Sequence, residues 1–221
     1  GYIYGLAMAK GLVMAGVAKN ILLITSETYS KFIHPADKSN RTIFGDAAAA
    51  TLITNGNGYA EIGDFELGTD GRGAENLIVK KGAVKHPADG ISEDIVDEYG
   101  NVRNDNNLFM NGTEIFNFTN ENVPQLIKAT LDKNQLQQDD IRMFILHQAN
   151  KYMLNHLRKK MNIPEDRFYY FLSGCGNTVS STVPIALYEA LRSPGFSSGD
   201  RLLLAGFGVG YSWGACVIRY L

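Results

Sequence analysis

Cysteine is scarce in this sequence and never occurs in a metal-binding pattern. The 221 residues contain two cysteines, Cys175 and Cys216, which lie far apart and outside any Cys-x-x-Cys motif. We therefore expect neither a disulfide framework nor a cysteine-based zinc site, and we expect no bound metal or other cofactor. Two isolated thiols are typical of a protein from the reducing cytoplasm.

A large excess of one charge is also missing. The chain has 21 Lys and Arg against 23 Asp and Glu, which gives a formal net charge of −2 at pH 7. This balance provides no bulk attraction to nucleic acid or to anionic lipid, so we expect neither as a partner. With 45% hydrophobic residues, the chain can bury a core of one large domain or of one and a half ordinary ones.

No apolar run is long enough to predict a membrane span. The strongest candidate, residues 1–17, is shorter than the roughly 20 residues that a span requires, and it contains Lys10. It also lacks the basic start and small-residue exit of a signal peptide. We interpret it as a helix buried on all sides in an α/β core. Because the sequence opens inside this helix without Met, we expect it to be a fragment.

The remaining sequence predicts alternating strands and helices. Residues 21–24 resemble a parallel strand covered on both faces, 43–53 a strand, 55–58 a hairpin-type turn, and 61–107 a long surface excursion. Further on, the predicted helices are 113–133, 149–161 and 178–191, and the predicted strands are 143–146, 168–172, 202–205 and 215–218. This order indicates a mostly parallel sheet with helices on its faces and an antiparallel final pair.

Three polar or glycine-rich segments directly follow predicted strands. His147 opens the sequence HQAN after strand 143–146, and Asn177 lies in SGCGNT after strand 168–172. The glycine-rich loop 206–214, GFGVGYSWG, follows strand 202–205. A lone histidine is more often structural, Asn177 could simply cap a helix, and the glycines could form a plain hairpin. Together they place an imidazole, an amide and free backbone N–H groups where an oxyanion-stabilising site would form.

The same segments carry a resemblance to a known family. HQAN, then GNT before a helix containing Pro184 to Leu187, then GFGVGYSWGA resemble β-ketoacyl-acyl-carrier-protein synthase III, a branch of the thiolase-like condensing enzymes. The segments 44–46 (FGD), 67–71 (LGTDG) and 109–112 (FMNG) support it, and the similarity covers nearly the whole chain except 81–107.

The resemblance implies a fold and a reaction. The fold would be a thiolase-like α/β structure of mixed, mostly parallel sheets in α-β-α-β-α layers, normally dimeric. Residues 1–60 would be the remainder of its first half, and residues 61–221 its second half with an insertion at about 81–107. The reaction would be a decarboxylative Claisen condensation of an acyl-coenzyme A with malonyl-acyl-carrier protein in fatty-acid or related acyl biosynthesis.

The resemblance also implies roles for individual residues. His147 and Asn177 would donate hydrogen bonds to the malonyl thioester carbonyl, and the backbone N–H of Val209 would form half of an oxyanion hole. The implied substrate-binding residues are Lys38, Arg41, Phe44, Phe207 and Gly208. The family's nucleophilic cysteine would lie two residues before Gly1, so we expect the chain alone to be inactive in the condensation of acyl-coenzyme A with malonyl-acyl-carrier protein. Cys175 is a poor substitute, because no helix activates its thiol.

The basic helix 150–160 would contact the acidic carrier protein through Lys151, Arg158, Lys159 and Lys160. Tyr152 and Asn117 stand where the family would have basic residues, which implies a weaker or different contact. A run of basic residues is more often a plain solvated face. His34, His86 and His156 are interpreted as surface histidines.

Two alternatives stay open at this point. The first is a thiolase-like acyltransferase that moves acyl groups without condensation. The second is a non-catalytic scaffold piece.

Overall fold

Five α-helices and ten β-strands make up the part of the chain that the computed structural model describes, residues 1–88 and 90–221. The helices are α1 (Tyr2–Met14), α2 (Lys38–Arg41), α3 (Gly112–Lys133), α4 (Lys151–Lys160) and α5 (Thr182–Arg192). The strands are β1 (Asn20–Glu27), β2 (Ala47–Thr54), β3 (Ala60–Thr69), β4 (Leu77–Val79), β5 (Ile95–Val96), β6 (Val102–Arg103), β7 (Leu108–Met110), β8 (Ile141–Leu146), β9 (Arg201–Gly208) and β10 (Ser212–Tyr220).

A four-stranded sheet in the order β3-β10-β9-β8 forms the centre of the molecule. Strands β9 and β10 are apolar on both sides because helices cover both faces. Leu203 and Ala205 face the cluster formed with α3 and α4, whereas Leu202 and Leu204 face the cluster formed with α1 and α5. The sheet is mixed and its final pair is antiparallel, as expected, but the expectation that it is mostly parallel is wrong, because only β8 and β9 pair in parallel within the described residues.

Strands β1 and β2 form a separate antiparallel pair on the far side of α1 and α5. Together with the central sheet and its helices they give four successive layers, α-β-α-β. The outer face of the β1–β2 pair is apolar and exposed, with Leu22, Ile24 and Leu52 each about 60% accessible. The prediction that residues 21–24 form a parallel strand covered on both faces is therefore wrong for the described structure, because β1 pairs antiparallel and only one of its faces is buried.

Helix α1 is buried on one side only. Ile3, Leu6 and Ala9 face the core, whereas Met8 and Met14 are 69% and 74% exposed. The expectation of a helix buried on every side is corrected accordingly. Its apolar composition reflects contacts with both the central sheet and the β1–β2 pair, together with one side that is open.

Three other segments differ from the sequence-based expectation. Residues 55–58 connect β2 to β3, which lie in different sheets, so they do not close a hairpin. The supposed surface excursion from residue 61 begins with the edge strand β3, which pairs with β10 along its length. Residues 168–172 are extended, but only Phe168 forms a bridge to β8, at Phe144.

The segment 168–172 is held by a side chain rather than by a strand ladder. Buried Gln148 donates from Nε2 to the Leu146 carbonyl at 2.6 Å, and its Oε1 accepts from the Phe171 N–H at 2.7 Å. The Tyr169 N–H also donates to the Phe144 carbonyl. Gln148 thus fixes the chain that leads to Asn177 against the end of β8.

The region 81–107 contains the short hairpin β5–β6, which packs on residues 33–42. Arg103 bridges Asp97, at 2.7 Å, and fully buried Asp37, at 3.6 Å. His34 Nε2 lies 3.4 Å from Asp94 Oδ2. His34 is therefore a partly buried contact between these two segments and not the free surface histidine that we expected, whereas His86 is exposed.

Candidate active site

His147 follows β8 directly, where the strand pattern ends and the chain turns toward α4. Its N–H donates to the Ala205 carbonyl of β9 at 2.7 Å, which anchors the backbone at the end of the parallel pair. Its ring packs edge-on against Phe207, with 5.5 Å between ring centroids. The position at the carboxyl ends of two parallel strands is the one predicted for a reactive group.

The environment keeps the His147 imidazole neutral. Burial lowers the pKa of His147 to about 4, because the apolar surroundings disfavour the charged ring. Its Nδ1 lies 2.6 Å from the Thr182 hydroxyl at the start of α5. Its Nε2 has no hydrogen-bond partner among the described residues and is left for the cavity. The imidazole can therefore exchange hydrogen bonds with a bound molecule without carrying a charge.

Asn177 is 7% exposed, and its side-chain oxygen is already engaged. The Val179 N–H donates to Asn177 Oδ1 at 2.9 Å. Because the oxygen is held by the backbone, the amide nitrogen with its two N–H donors is the end that remains available. Val179 adopts a left-handed backbone conformation (φ 54°), which is uncommon for a β-branched residue. The surrounding structure therefore imposes this conformation against the intrinsic preference of valine.

Two glycines allow the loop before β2 to dock on the Asn177 loop. A Cβ at Gly45 would lie 2.0 Å from the Cys175 carbonyl oxygen, and one at Gly176 (φ 63°) would lie 2.7 Å from the Ile43 oxygen. Backbone hydrogen bonds join Gly45 N to the Asn177 oxygen and Asn177 N to the Ile43 oxygen. Only glycine permits this approach, which brings Phe44 beside Asn177.

A cavity of about 510 Å³ joins these groups. His147, Asn177, Thr182 and Glu27 contribute polar groups to its wall, together with the backbone at Val209. The predicted site residues Phe44, Phe207 and Gly208 line the same cavity. The structure thus brings the imidazole, the carboxamide and the glycine-rich loop together, as the sequence predicted.

The loop after β9 accommodates valine at position 209. The φ angle of Val209 is not in the left-handed region, which in the described chain holds only three non-glycine residues, Gln135, Asn162 and Val179. A side chain there costs no backbone strain. None of the hydrogen bonds found in residues 1–88 and 90–221 uses the Val209 N–H, while its carbonyl accepts from the Ser212 hydroxyl.

The two basic residues predicted to bind substrate stand on α2, outside the cavity wall. Lys38 is exposed, and Arg41 donates to the Pro35 carbonyl at 2.6 Å. Asp37 caps this short helix by accepting from Asn40 N. Both cations therefore lie on the segment that leads to Phe44 at the cavity, and not on the cavity wall itself.

The basic helix α4 presents only part of its charge to solvent. Lys151 and Lys159 are exposed, and Lys160 donates to Asn120. Arg158 has a side chain only 14% exposed and donates to Tyr170, Ile163 and Asn155. Arg158 therefore stabilises the protein internally, which sequence reasoning could not distinguish from a surface role.

Other residues around this helix also have defined surroundings. His156 lies 2.9 Å from Asn120 Oδ1 and packs on Phe116, so it is a partly buried contact and not a free surface histidine. Tyr152 and Asn117 are exposed, as a surface position requires.

Neither cysteine lines the cavity. Cys216 is fully buried in β10, and burial raises its pKa to about 12. Cys175 is partly exposed, and burial raises its pKa as well. No group of three or more His, Cys, Asp or Glu side chains in the described residues is arranged to hold a metal ion. No helix found there is long and apolar enough to cross a membrane.

Sequence reasoning missed two residues of the site. Thr182 appeared only as a helix residue, but it holds Nδ1 of His147. Gln148 appeared only as part of the HQAN motif, but it positions the segment before Asn177. Gln148 directly follows His147 in the sequence, and this is the signal that could have found it. No sequence signal links Thr182 to His147, since the two are 35 positions apart.

Comparison with known proteins assigns both ends of the chain to one family. Residues 1–71 match the family model described as 3-oxoacyl-[acyl-carrier-protein (ACP)] synthase III, and residues 131–220 match the model of its C-terminal part. The chain is 34% identical to a β-ketoacyl-[acyl-carrier-protein] synthase III of Clostridium tetani over 221 residues, and 36% identical to that of Fusobacterium nucleatum over 222 residues. It spans 66% and 65% of the length of these two relatives, about two thirds.

Solved structures give the same fold. A 3-oxoacyl-(acyl-carrier-protein) synthase III crystal structure at 48% sequence identity superposes with a TM-score of 0.94, covering 99% of this chain and 66% of that one. The corresponding enzyme from Thermus thermophilus, at 31% identity, gives a TM-score of 0.84 with 100% and 65% coverage. The expected thiolase-like α/β fold is thereby confirmed.

Proposed function

Because the chain belongs to the 3-oxoacyl-[acyl-carrier-protein] synthase III family, we propose that it carries the carbanion-stabilising part of a decarboxylative condensing enzyme. The substrates would be an acyl-coenzyme A and malonyl-acyl-carrier protein. The observation that supports this proposal most is the shared cavity of His147 and Asn177, in which each side chain keeps one nitrogen free.

The two side chains suit the decarboxylation step. When a malonyl thioester loses carbon dioxide, negative charge develops on the thioester carbonyl oxygen as the enolate forms. Asn177 would donate from Nδ2 and His147 from Nε2 to this oxygen, and donors that are already oriented stabilise such a charge strongly. A neutral imidazole is required, because an imidazolium could transfer a proton to the carbanion and end the reaction. The lowered pKa of His147, about 4, supports this role near neutral pH.

The condensation step would use the loop after β9. Attack of the enolate on an acyl group produces a tetrahedral oxyanion, and the backbone N–H of Val209 is proposed as one of its donors. The acyl group would be carried on a cysteine thiol. Among the described residues no cysteine lines the cavity, so we propose that these 221 residues do not form the acyl-enzyme themselves.

Decarboxylation can be tested apart from condensation. We expect the chain to release carbon dioxide from malonyl-carrier protein in the absence of any acyl-coenzyme A. Asn177→Asp, which keeps the shape but replaces N–H donors by a carboxylate, should lower kcat by about 100-fold. Asn57→Asp, in an exposed turn, is the matched control and should retain the wild-type rate. Intact mass measurement after incubation with an acyl-coenzyme A should detect no acylation.

The same experiment separates the alternatives. An acyltransferase without condensation has no use for a pair of enolate donors and would release no carbon dioxide. A non-catalytic scaffold would also release none and would not respond to Asn177→Asp. Absence of release by the wild-type chain would therefore remove the condensing reaction from consideration.

Two exposed basic surfaces are proposed for the substrates' carriers. Lys151 and Lys159 on α4, with Lys160 beside them, would attract the acidic carrier protein. Lys38 and Arg41 would approach the phosphates of coenzyme A. The internal hydrogen bonds of Arg158 do not support a carrier contact for that residue.

Four broader expectations remain proposals. Residues 1–60 and 61–221 would be parts of two similar halves, and the exposed apolar face of β1–β2 is compatible with further packing in a homodimer. The two free cysteines support a cytoplasmic location. We also propose that the reaction needs no cofactor beyond the coenzyme A and phosphopantetheine thioesters.

A further inference from the structure

The hydroxyl group of Thr182 lies between two acceptors but carries only one proton. Its oxygen is 2.6 Å from Nδ1 of His147 and 2.9 Å from the carbonyl oxygen of Val179. Thr182 is 3% exposed, and it lines the cavity beside His147. The direction of one hydrogen bond therefore determines the direction of the other.

In the first of two possible arrangements, the hydroxyl donates to the Val179 carbonyl oxygen, 2.9 Å away. Its oxygen must then accept the short hydrogen bond from Nδ1, which places the single proton of the neutral imidazole on Nδ1. Nε2 consequently presents a lone pair to the cavity. This is the opposite of the protonation that an enolate-stabilising donor needs.

The hydroxyl can turn away from Val179 without leaving a buried group unpaired. The Val179 carbonyl also accepts the backbone N–H of Thr182 at the start of α5, so it keeps one hydrogen bond when the hydroxyl leaves. After this rotation the hydroxyl donates to Nδ1, and the proton of the imidazole must reside on Nε2, facing the cavity. Both arrangements satisfy all of the groups involved.

We propose that Thr182 is a positioning residue that controls which nitrogen of His147 carries the proton, and that its hydroxyl turns from Val179 to Nδ1 when a thioester carbonyl occupies the cavity. The number of protons on the ring does not change. Water in the cavity gives a proton to Nε2, Nδ1 passes its proton to the Thr182 hydroxyl oxygen, and that oxygen releases its own proton to water in the cavity that both residues line. This inference rests on the proposed function, since it assigns the state in which His147 donates.

Nitrogen NMR of the 221-residue chain, labelled at histidine and asparagine, tests the proposal directly. In the free protein we expect a pyrrole-type signal for Nδ1 and a pyridine-type signal for Nε2 of His147. Addition of an amide analogue of malonyl-coenzyme A, which cannot decarboxylate, should exchange the two signals. The side-chain amide signals of Asn177 report in the same spectrum whether the cavity is occupied.

Two variants separate the hydroxyl from the shape of the side chain. Thr182→Val is nearly isosteric but leaves the Val179 carbonyl as the only neighbour for Nδ1, so the proton should stay on Nδ1 with and without the analogue. Thr182→Ser keeps the hydroxyl and should behave as the wild type. In the carbon dioxide assay, Thr182→Val should lower kcat by about 100-fold with little change in KM, and Thr182→Ser should restore most of it.

The possible results are distinguishable. If the Asn177 signals shift on addition of the analogue while the His147 tautomer does not change, the role of Thr182 is refuted and the proposed function stands. If Thr182→Val exchanges its signals as the wild type does, the role is refuted as well. If neither residue responds to the analogue, the proposed function itself fails. A free protein with its proton on Nε2 would contradict the starting arrangement.

Discussion

Mild acid should destabilise this protein through His147. The folded protein holds the pKa of His147 at about 4, whereas the ordinary value is 6.5. The unfolded chain therefore binds a proton at a higher pH than the folded one does. The stability that this group contributes is fully present above about pH 6.5 and is lost as the pH falls through the folded pKa near 4.

The size of the effect follows from the two pKa values. Between pH 7.5 and pH 5, proton binding to the unfolded state favours unfolding by at most about 2 kcal/mol. The ring faces an open cavity, so solvent screening can only reduce this figure. The carboxylates whose pKa values are lowered, such as Asp46, Asp70 and Asp97, have ordinary values near 3.8 and change their contribution at lower pH.

Urea unfolding followed by circular dichroism at the two pH values measures the difference. His147→Gln removes the titrating ring but retains a polar side chain beside Thr182, and it should lose most of the pH dependence in this interval. His86→Gln, in an exposed loop, is the matched control and should behave as the wild type. Equal pH dependence in wild type and His147→Gln would show that the imidazole is not held neutral by the fold, and the reasoning about its role would be refuted with it.

Three further changes test the architecture around the site. Gly45→Ala should destabilise the protein by more than about 2 kcal/mol in urea unfolding, because the new Cβ would overlap the Cys175 carbonyl. Gly71→Ala is the control and should not destabilise it, because a Cβ at Gly71 meets no atom within 4 Å. Equal stability of the two variants would disprove the tight docking of the two loops. Gln148→Leu should cost about 2–3 kcal/mol, because the Leu146 carbonyl and the Phe171 N–H lose their partner, and thermal unfolding unchanged from the wild type would contradict this anchoring role. Reversing the charge of Lys151 and Lys159 together should weaken carrier-protein binding in calorimetry without changing the melting temperature. Unchanged binding would exclude this surface as the carrier-protein contact. Arg158→Met should instead lower the melting temperature, because it removes internal hydrogen bonds.

The positions of the two proposed catalytic side chains could be predicted because several local features of the sequence coincide there. His147 and Asn177 each follow an apolar run that ends at a glycine-rich or polar segment, and the fold places the ends of such runs on one side of the sheet. Helix α3 was predicted within one residue because its apolar spacing is regular over 113–133. These features depend on neighbours in the sequence.

Features that depend on distant residues could not be predicted in this way. Strand β3 has no clear alternation because Gly63 and Gly68 lie where Asn134 and the Trp213 ring approach closely. Residues 168–172 have strand-like composition, but a single side chain, Gln148, replaces most of the strand pairing. The internal role of Arg158 depends on Tyr170 and Ile163, which the basic run around it gives no reason to expect.

The position of Val179 makes the two proposed donors inseparable. Its N–H orients the amide of Asn177, and its carbonyl is linked through Thr182 to the imidazole of His147, so one residue in a left-handed turn serves both sides of the cavity. A shift of the Val179 backbone would alter the hydrogen bonds of both side chains at once. The effects of substituting His147 and Asn177 should therefore not be additive. A related sequence whose cavity serves a different acyl chemistry would have to change both residues together.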